Sequence, residues 1–331
     1  MRTAKKLFCC LAAAWLLLLP AGCSRAGEPI SQSGFYFDTV ISVTLYDDTK
    51  TKELAHCFAL AEQYEQYFST KIADSDISRI NAAAGKPVSV HEETLALIKK
   101  GLSYARLSDG KFDITIGKLT DLWDFHTDRP VMPDPDAVAK AAATVDYRNV
   151  RIKGSEVTLA NPDAALDLGG IAKGFIADKM KEYLCSQGIA NGLINLGGNV
   201  LAIGEKNNGE AYRIAIQKPF ATSSEAAACV QIKDQTVVTS GIYERYFKQN
   251  DKLYHHILDT KTGWPYDNGL ASVTVVCKDS VDGDGLSTSC FALGLTKGME
   301  LVESLEEVEA VFITTDLKLH CSSGIGSKVS K

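Results

Sequence analysis

Positive charge, metal-type cysteine pairs and long apolar runs are all scarce in this chain of 331 residues, and each scarcity excludes something. Lys and Arg number 35 against 41 Asp and Glu, a net of −6. Without residues 1–22, whose only charges are Arg2, Lys5 and Lys6, the 35 falls to 32 and the net becomes −9. That balance excludes nucleic acid and anionic membrane surfaces as general partners. No apolar run after residue 22 is long enough to cross a bilayer. No C-x-x-C occurs, and Cys57, Cys185, Cys229, Cys277, Cys290 and Cys321 are widely spaced, which argues against zinc. Most lie in apolar periodic segments and read as buried free thiols, although an oxidising compartment would permit disulfides. No unit of 20–50 residues repeats.

What is present begins with a targeting segment. A basic start precedes an apolar run from Leu7 to Leu19, followed by Pro20-Ala21-Gly22-Cys23. The run is too short for a comfortable span and reads as a signal peptide over 1–22. Small residues before a cysteine predict a lipoprotein, cleaved before Cys23 and lipidated on its sulfur; Pro20 stands where leucine is usual, and an ordinary secretory signal cut nearby is the alternative. The expected place is the outer, extracytoplasmic face of the cell membrane. Residues 23–34 read as a polar tether and 35–331 as the folded body, with a core large enough for one big domain of two lobes.

Within the body, Phe35–Tyr46 alternates and predicts a strand, and Lys52–Phe68 carries Leu54, Phe58, Ala61, Tyr64 and Phe68 on one helical face. Ser89-Val90-His91-Glu92 resembles a capping box opening a helix through Arg106. A short helix is predicted over 134–143 and a hairpin around Lys153-Gly154. A helix through about Gln187 is followed by strands at 192–196, 200–203, 212–216, 229–232, 254–258 and 272–277. A helix from near Asp284, another over 297–305, and strands at 308–314 and 317–321 complete an α+β pattern rich in antiparallel sheet.

The most informative stretch is Leu166-Asp167-Leu168-Gly169-Gly170-Ile171-Ala172-Lys173-Gly174. An apolar strand, a glycine pair and a helix start form a place where unpaired backbone N–H groups can meet an anion. It matches neither G-x-x-x-x-G-K-[ST] nor G-x-G-x-x-G. Plain close packing explains the glycines equally well. Asp167 would repel a bare phosphate, which suggests a metal or a polar ligand group nearby.

Four further clusters carry chemistry. Ser108-Asp109-Gly110-Lys111-Phe112-Asp113-Ile114-Thr115 is either a surface turn or a loop that hydrogen-bonds a heterocycle. Asn195-Leu196-Gly197-Gly198-Asn199 reads first as a hairpin. His255-His256 precede Asp259-Thr260-Lys261-Thr262-Gly263, and on a strand only one of the pair can face a given pocket. Such a histidine can act as a general base. Asp284 and Thr288 share a helical face, a carboxylate and a hydroxyl suited to a hard divalent cation. Helix capping by Asp282 or Asp284 is the alternative. The ligand spacing of an EF-hand is absent.

Taken in order, S-D-G-x-F-D-x-T, D-L-G-G-I-A-K-G, N-L-G-G-N, T-S-G…Y-x-R-Y, H-H-I-L-D-x-x-T-G-x-P and D-G-L-S-T resemble the ApbE family, the FAD:protein FMN transferases. The resemblance runs from about Thr39 to Gly294. It implies a T-fold-like architecture of mixed, largely antiparallel sheets packed with helices. It also implies FAD as substrate, Mg²⁺ as cofactor, and FMN transfer to a threonine hydroxyl of an acceptor protein with release of AMP. By position, Lys111, Phe112, Asp113, Asp167, Lys173 and Ile257 would contact FAD. Gly170 (by its carbonyl), Asp284, Thr288 and Ser287 would hold the metal, and His256 would be the catalytic base. The family's usual M-G-T is Phe37-Asp38-Thr39 here, which carries a flavin contact to Phe37. The usual proline after Asp259 is Thr260, read as a harmless turn change. Acceptors in this family carry a Ser/Thr-Gly-Ala-Thr type motif, expected here on an exported or membrane redox subunit. FAD pyrophosphatase activity, giving FMN and AMP, and a non-catalytic flavin-binding lipoprotein are the alternatives.

Overall fold

The chain enters its fold through a hairpin. The computed structural model describes residues 28–331 except 124, 126, 128, 129, 223, 224, 326–328 and 331. The signal segment, Cys23 and residues 24–27 of the tether therefore lie outside the described residues. Strand β1 (Ile30–Tyr36) begins inside the span expected as tether and pairs antiparallel with β2 (Thr39–Leu45). The alternation of Phe35–Tyr46 predicts one strand, but the chain folds back at Phe37 and Asp38. Both take left-handed φ, 52° and 55°, as a two-residue hairpin turn requires. Neither is glycine or asparagine, so composition did not announce the turn.

Helix α1 (Thr51–Phe68) buries the predicted apolar face, and two shorter elements, α2 (Asp76–Ala82) and β3 (Val88–Ser89), follow. Helix α3 (Glu92–Leu107) is capped differently from the capping-box expectation. Ser89 belongs to β3, the N-cap is His91, and the His91 backbone N–H and ring Nδ1 both reach Asp76 Oδ2 at 2.9 Å. Helices α4 (Gly117–Trp123) and α5 (Pro135–Ala142) lead to the hairpin of β4 (Val150–Lys153) and β5 (Glu156–Leu159).

Helix α6 (Ala172–Ser186) opens the second half. Strands β6 (Asn191–Leu196), β7 (Asn199–Gly204), β8 (Tyr212–Gln217), β9 (Ala226–Ile232) and β10 (Thr236–Gly241) come next. A ribbon of β11 (Tyr246–Gln249) and β12 (Lys252–His255) stops at His255, short of the strand expected through 258. Strand β13 (Leu270–Cys277) is followed by α7 (Ser280–Glu303), which starts four residues before Asp284. Non-helical angles at Gly294 (φ 80°, ψ 173°) divide α7, which accounts for the two helices expected there. Strands β14 (Glu309–Thr314), β15 (Leu319–Cys321) and β16 (Val329–Ser330) end the chain.

Eight strands form one sheet in the order β1-β2-β6-β7-β10-β13-β14-β15, every neighbouring pair antiparallel. Period-two alternation then sorts side chains between two cores. Val273, Val275, Ala310 and Phe312 point to the side packed by α1, α6 and α7. Val276, Val311 and Ile313 point to the other side, where Tyr212, Val230 and Ile232 of a second sheet (β16-β9-β8) cover them. Each such fully buried Val, Ile or Phe side chain contributes about 1.5–3 kcal/mol. A third cluster, Leu119, Trp123, Val138, Phe247 and Leu258, seats the β11–β12 ribbon on α4 and α5. The mixed, largely antiparallel α+β fold is the expected one.

Among the described residues no disulfide forms. Cys57, Cys277 and Cys290 are buried, whereas Cys185 and Cys321 are exposed and Cys229 is half-buried, fewer buried thiols than expected. Among the same residues no helix is long and apolar enough to cross a membrane.

Candidate active site

A cleft of roughly 1350 Å³, counted to its solvent mouth, lies where the ends of β7 and β10 meet the starts of α6 and α7. Measured that way it exceeds the roughly 300–1,000 Å³ of ordinary small-molecule pockets, so it has room for a large ligand. Lys111, Phe112, Asp113, Asp167, Gly170, Lys173, His256, Ile257, Asp284 and Thr288 all line it. Two predicted residues stand apart. Phe37 lines an adjoining recess with Glu65 and Lys71, its backbone N–H donating to Glu65 Oε1 at 2.7 Å, while Thr39 reaches the cleft instead. Ser287 is fully buried beneath the surface. Its hydroxyl lies 2.9 Å from Ser240 Oγ and donates to the Asp284 carbonyl at 3.1 Å.

Of the adjacent histidines, one is structural. Buried His255 donates from Nε2 to the Tyr266 carbonyl at 2.9 Å and accepts the Ile257 N–H at Nδ1, 3.3 Å away. His256 faces the cleft. Its Nδ1 lies 3.3 Å from the Arg245 carbonyl, which also accepts the His256 backbone N–H at 3.1 Å. A carbonyl can only accept, so Nδ1 carries the proton and Nε2 keeps a free lone pair. Burial, then the charge of Arg245, pushes the His256 pKa down to about 3, so the ring is neutral at physiological pH.

The acidic corner is built by α7. Asp284 is 4% exposed, and its Oδ2 accepts the Gly174 backbone N–H at 2.6 Å. Its Oδ1 accepts Asn199 Nδ2 at 3.0 Å. Burial raises the Asp284 pKa, with Lys173, Gly174 and Asn199 opposing. One of the unpaired N–H groups expected to meet an anion at the start of α6 is thus taken by a carboxylate of the protein itself. The Asn199 side chain is held in turn by Ser280 Oγ, which donates to its Oδ1 at 2.6 Å. Asn199 follows the Gly197-Gly198 hairpin turn, where φ of 61° and 92° calls for glycine. Thr288 Oγ1 lies 3.0 Å from Ser240 Oγ.

The glycine turn is closed by its own aspartate. Asp167 Oδ1 accepts the Gly169 N–H at 2.8 Å, Oδ2 accepts Thr120 Oγ1 at 2.7 Å, and Lys173 Nζ donates to the Gly169 carbonyl at 3.4 Å. The loop before it is held similarly. Asp113 accepts from Thr115 N and Oγ1 at 2.8 and 2.7 Å and from Tyr147 N at 2.7 Å, and burial outweighs these bonds to raise its pKa. Thr260 is more than a harmless turn change. It is 6% exposed, and its hydroxyl donates to the Gly110 carbonyl at 2.7 Å, tying the histidine segment to the Lys111 loop.

Sequence reasoning assigned no role to Asn199, Arg245 or Glu244, although all three lie within quoted strings. Glu244 keeps contact with solvent in the cleft, yet desolvation by the surrounding walls raises its pKa to about 7, opposed by Lys173 and Arg245. Among the described residues no three His, Cys, Asp or Glu side chains converge as a metal cluster. A cation here would rest on one carboxylate with hydroxyl and carbonyl oxygens. Asp284 fits that role, because each of its oxygens has one hydrogen bond and a lone pair to spare.

A neutral histidine and a hard-oxygen corner share one large cleft in an α+β fold, an arrangement suited to group transfer. The sequence profile of the ApbE family matches residues 37–312, and the chain belongs to that family. It is 35% identical over 319 residues to a FAD:protein FMN transferase of Treponema pallidum, covering 90% of this chain and 88% of that one. A FAD:protein FMN transferase of Klebsiella pneumoniae is 39% identical over 269 residues, covering 80% and 83%. The fold superposes on the flavin transferase ApbE of Vibrio cholerae with a TM-score of 0.80, at 29% identity over 91% of this chain and 99% of that one. The ApbE protein of Thermotoga maritima gives 0.84, at 27% identity over 92% and 100%.

Proposed function

We propose that this protein transfers the FMN half of FAD to a threonine hydroxyl of an acceptor protein and releases AMP, with Mg²⁺ bound. The observation that carries the reading is the tautomer of His256, a neutral imidazole with Nε2 free in a cleft that also holds Asp284, Thr288 and Lys173. Relatives named FAD:protein FMN transferase support it.

His256 Nε2 takes the proton of the incoming hydroxyl. The hydroxyl oxygen bonds to the phosphorus on the FMN side of the pyrophosphate, and the bond from that phosphorus to the bridging oxygen breaks. AMP leaves with the bridging oxygen, and the products are a phosphodiester-linked FMN, AMP and one proton. Asp284, Thr288 and the Gly170 carbonyl would hold Mg²⁺, which when bound supplies charge neutralisation on the pyrophosphate. Lys173 places a further positive charge beside the phosphates, and Lys111, Phe112 and Ile257 offer a wall for the flavin. Water can take the place of the hydroxyl, so slow hydrolysis of FAD to FMN and AMP accompanies the transfer. A non-catalytic flavin carrier would have no use for the His256 arrangement. The N-terminal segment ending at Cys23 supports a lipid-anchored enzyme outside the cytoplasm, acting on an exported or membrane redox subunit with a Ser/Thr-Gly-Ala-Thr type segment.

The test is to mix the protein with FAD, Mg²⁺ and a purified domain carrying such a segment. In-gel flavin fluorescence on the domain together with AMP release is expected. Absence of both signals would overturn the reading.

A further inference from the structure

Between β8 and β9 a tight turn closes by a hydrogen bond from Ala221 N–H to the Lys218 carbonyl, 3.2 Å long. Pro219 stands second in that turn and Phe220 third, with φ of 59°. A left-handed third position after proline normally takes glycine or asparagine, because a Cβ is strained there. A phenylalanine in that place does nothing for the turn. Nor does it serve the core, since Phe220 is 48% exposed. Its ring meets two tyrosines edge-on, Tyr243 at 5.9 Å and Tyr246 at 5.6 Å between centroids, and Tyr246 is itself 42% exposed. Strain kept to hold an aromatic ring in water marks a site of use rather than of folding.

The patch is continuous with the cleft. Tyr243 and Tyr246 bracket Glu244 and Arg245, which line the cleft wall, and the Arg245 carbonyl holds His256. An approaching polypeptide that lays a flank on Phe220 and Tyr246 therefore meets the catalytic base within a few residues. Exposed aromatic rings with few rotatable bonds are the side chains that anchor protein partners.

We propose that Phe220 and Tyr246 form the docking edge for the acceptor protein, receiving an apolar flank of the segment that carries the reacting hydroxyl. This rests on the transferase reading above. Water needs no docking edge, so hydrolysis of FAD reports the chemistry without it.

The experiment compares the wild type with the double variant Phe220→Gly, Tyr246→Ala. The probe is a purified redox domain carrying a Ser-Gly-Ala-Thr segment. Its threonine is intact for kinetics and replaced by valine for binding. The expected result is a rise of tenfold or more in KM for the intact domain and in Kd for the valine form, with kcat at saturation, FAD affinity and hydrolysis of FAD unchanged. Phe220→Gly alone is expected to keep or raise the melting temperature, because glycine relieves the turn. An unchanged KM and Kd would overturn the proposal. So would an equal loss of hydrolysis, which would make the patch part of the FAD site. A wild-type dimer that the double variant dissociates without a change in KM would assign the patch to a second copy of the chain. Should the wild type bind the valine form tenfold or more tighter than the double variant but neither label the intact domain nor release AMP, the docking edge stands and the transferase reading falls. Should the wild type bind neither form, the docking edge falls.

Discussion

Asp178 and Asp284 cap each other's helices. Asp284, on α7, accepts the Gly174 N–H in the first turn of α6 at 2.6 Å. Asp178, one turn further along α6, accepts the Ser280 and Val281 N–H groups that open α7, at 2.7 and 2.8 Å. Each helix supplies the carboxyl oxygens that its partner's unpaired donors need. The acidic corner of the cleft is therefore fixed by how two helices pack, rather than by a loop.

That packing depends on the absence of a side chain at Gly174. A Cβ there would stand 2.2 Å from the Ser280 carbonyl oxygen. Gly174→Ala is expected to cost about 3 kcal/mol of stability, the upper end for overpacking, and to reduce transfer by displacing Asp284. Urea denaturation and the transfer rate measure both, and a cost near zero would show that the helices are free to part.

Asp178 also makes a pH dependence. A carboxyl in the unfolded chain ionises at about pH 4, whereas burial holds the proton on Asp178 up to about 7. Across that window the folded chain binds a proton that the unfolded chain has released, so this group's share of stability falls as pH rises. Asp178→Asn removes that share. Its deficit relative to wild type, about 1–2 kcal/mol at pH 5 for one lost backbone bond, is expected to shrink by pH 8. A deficit that grows with pH in denaturation curves would contradict the assignment.

Thr288 tests the proposed metal site with little risk to the fold, since its hydroxyl is bonded within the chain to Ser240 Oγ. Thr288→Val is expected to raise the Mg²⁺ concentration for half-maximal transfer by about tenfold or more, and chelation of Mg²⁺ is expected to abolish transfer in both proteins. A titration that superposes on the wild type would remove Thr288 from the metal site.

Much of the fold was legible because long elements repeat their pattern. The face of Leu54, Phe58, Ala61, Tyr64 and Phe68 gave α1 almost to the residue, and the Lys153-Gly154 turn gave the β4–β5 hairpin. The seven-residue helices α2 and α4 are too short for a 3.6-residue period to stand out. Strand β10 went unread because it is buried along most of its length, so its pattern does not alternate. The cleft residues were legible as strings, and ten of the twelve named in the body came together. The roles of Asn199 and Gly174 were not legible, since each is defined by Asp284, 85 and 110 residues away. Thr260 was misread for the same reason, as its partner Gly110 lies 150 residues earlier.

In the proposed reaction the proton of the incoming hydroxyl goes to His256. His256→Gln keeps a side chain that can donate to the Arg245 carbonyl but has no ring nitrogen to accept a proton. Single-turnover transfer from FAD to the acceptor domain, measured beside FAD affinity by fluorescence quenching, is expected to slow by roughly 10²–10⁴ with affinity within about twofold of wild type. Transfer at the wild-type rate with FAD bound as tightly would contradict the assignment of His256 as the base.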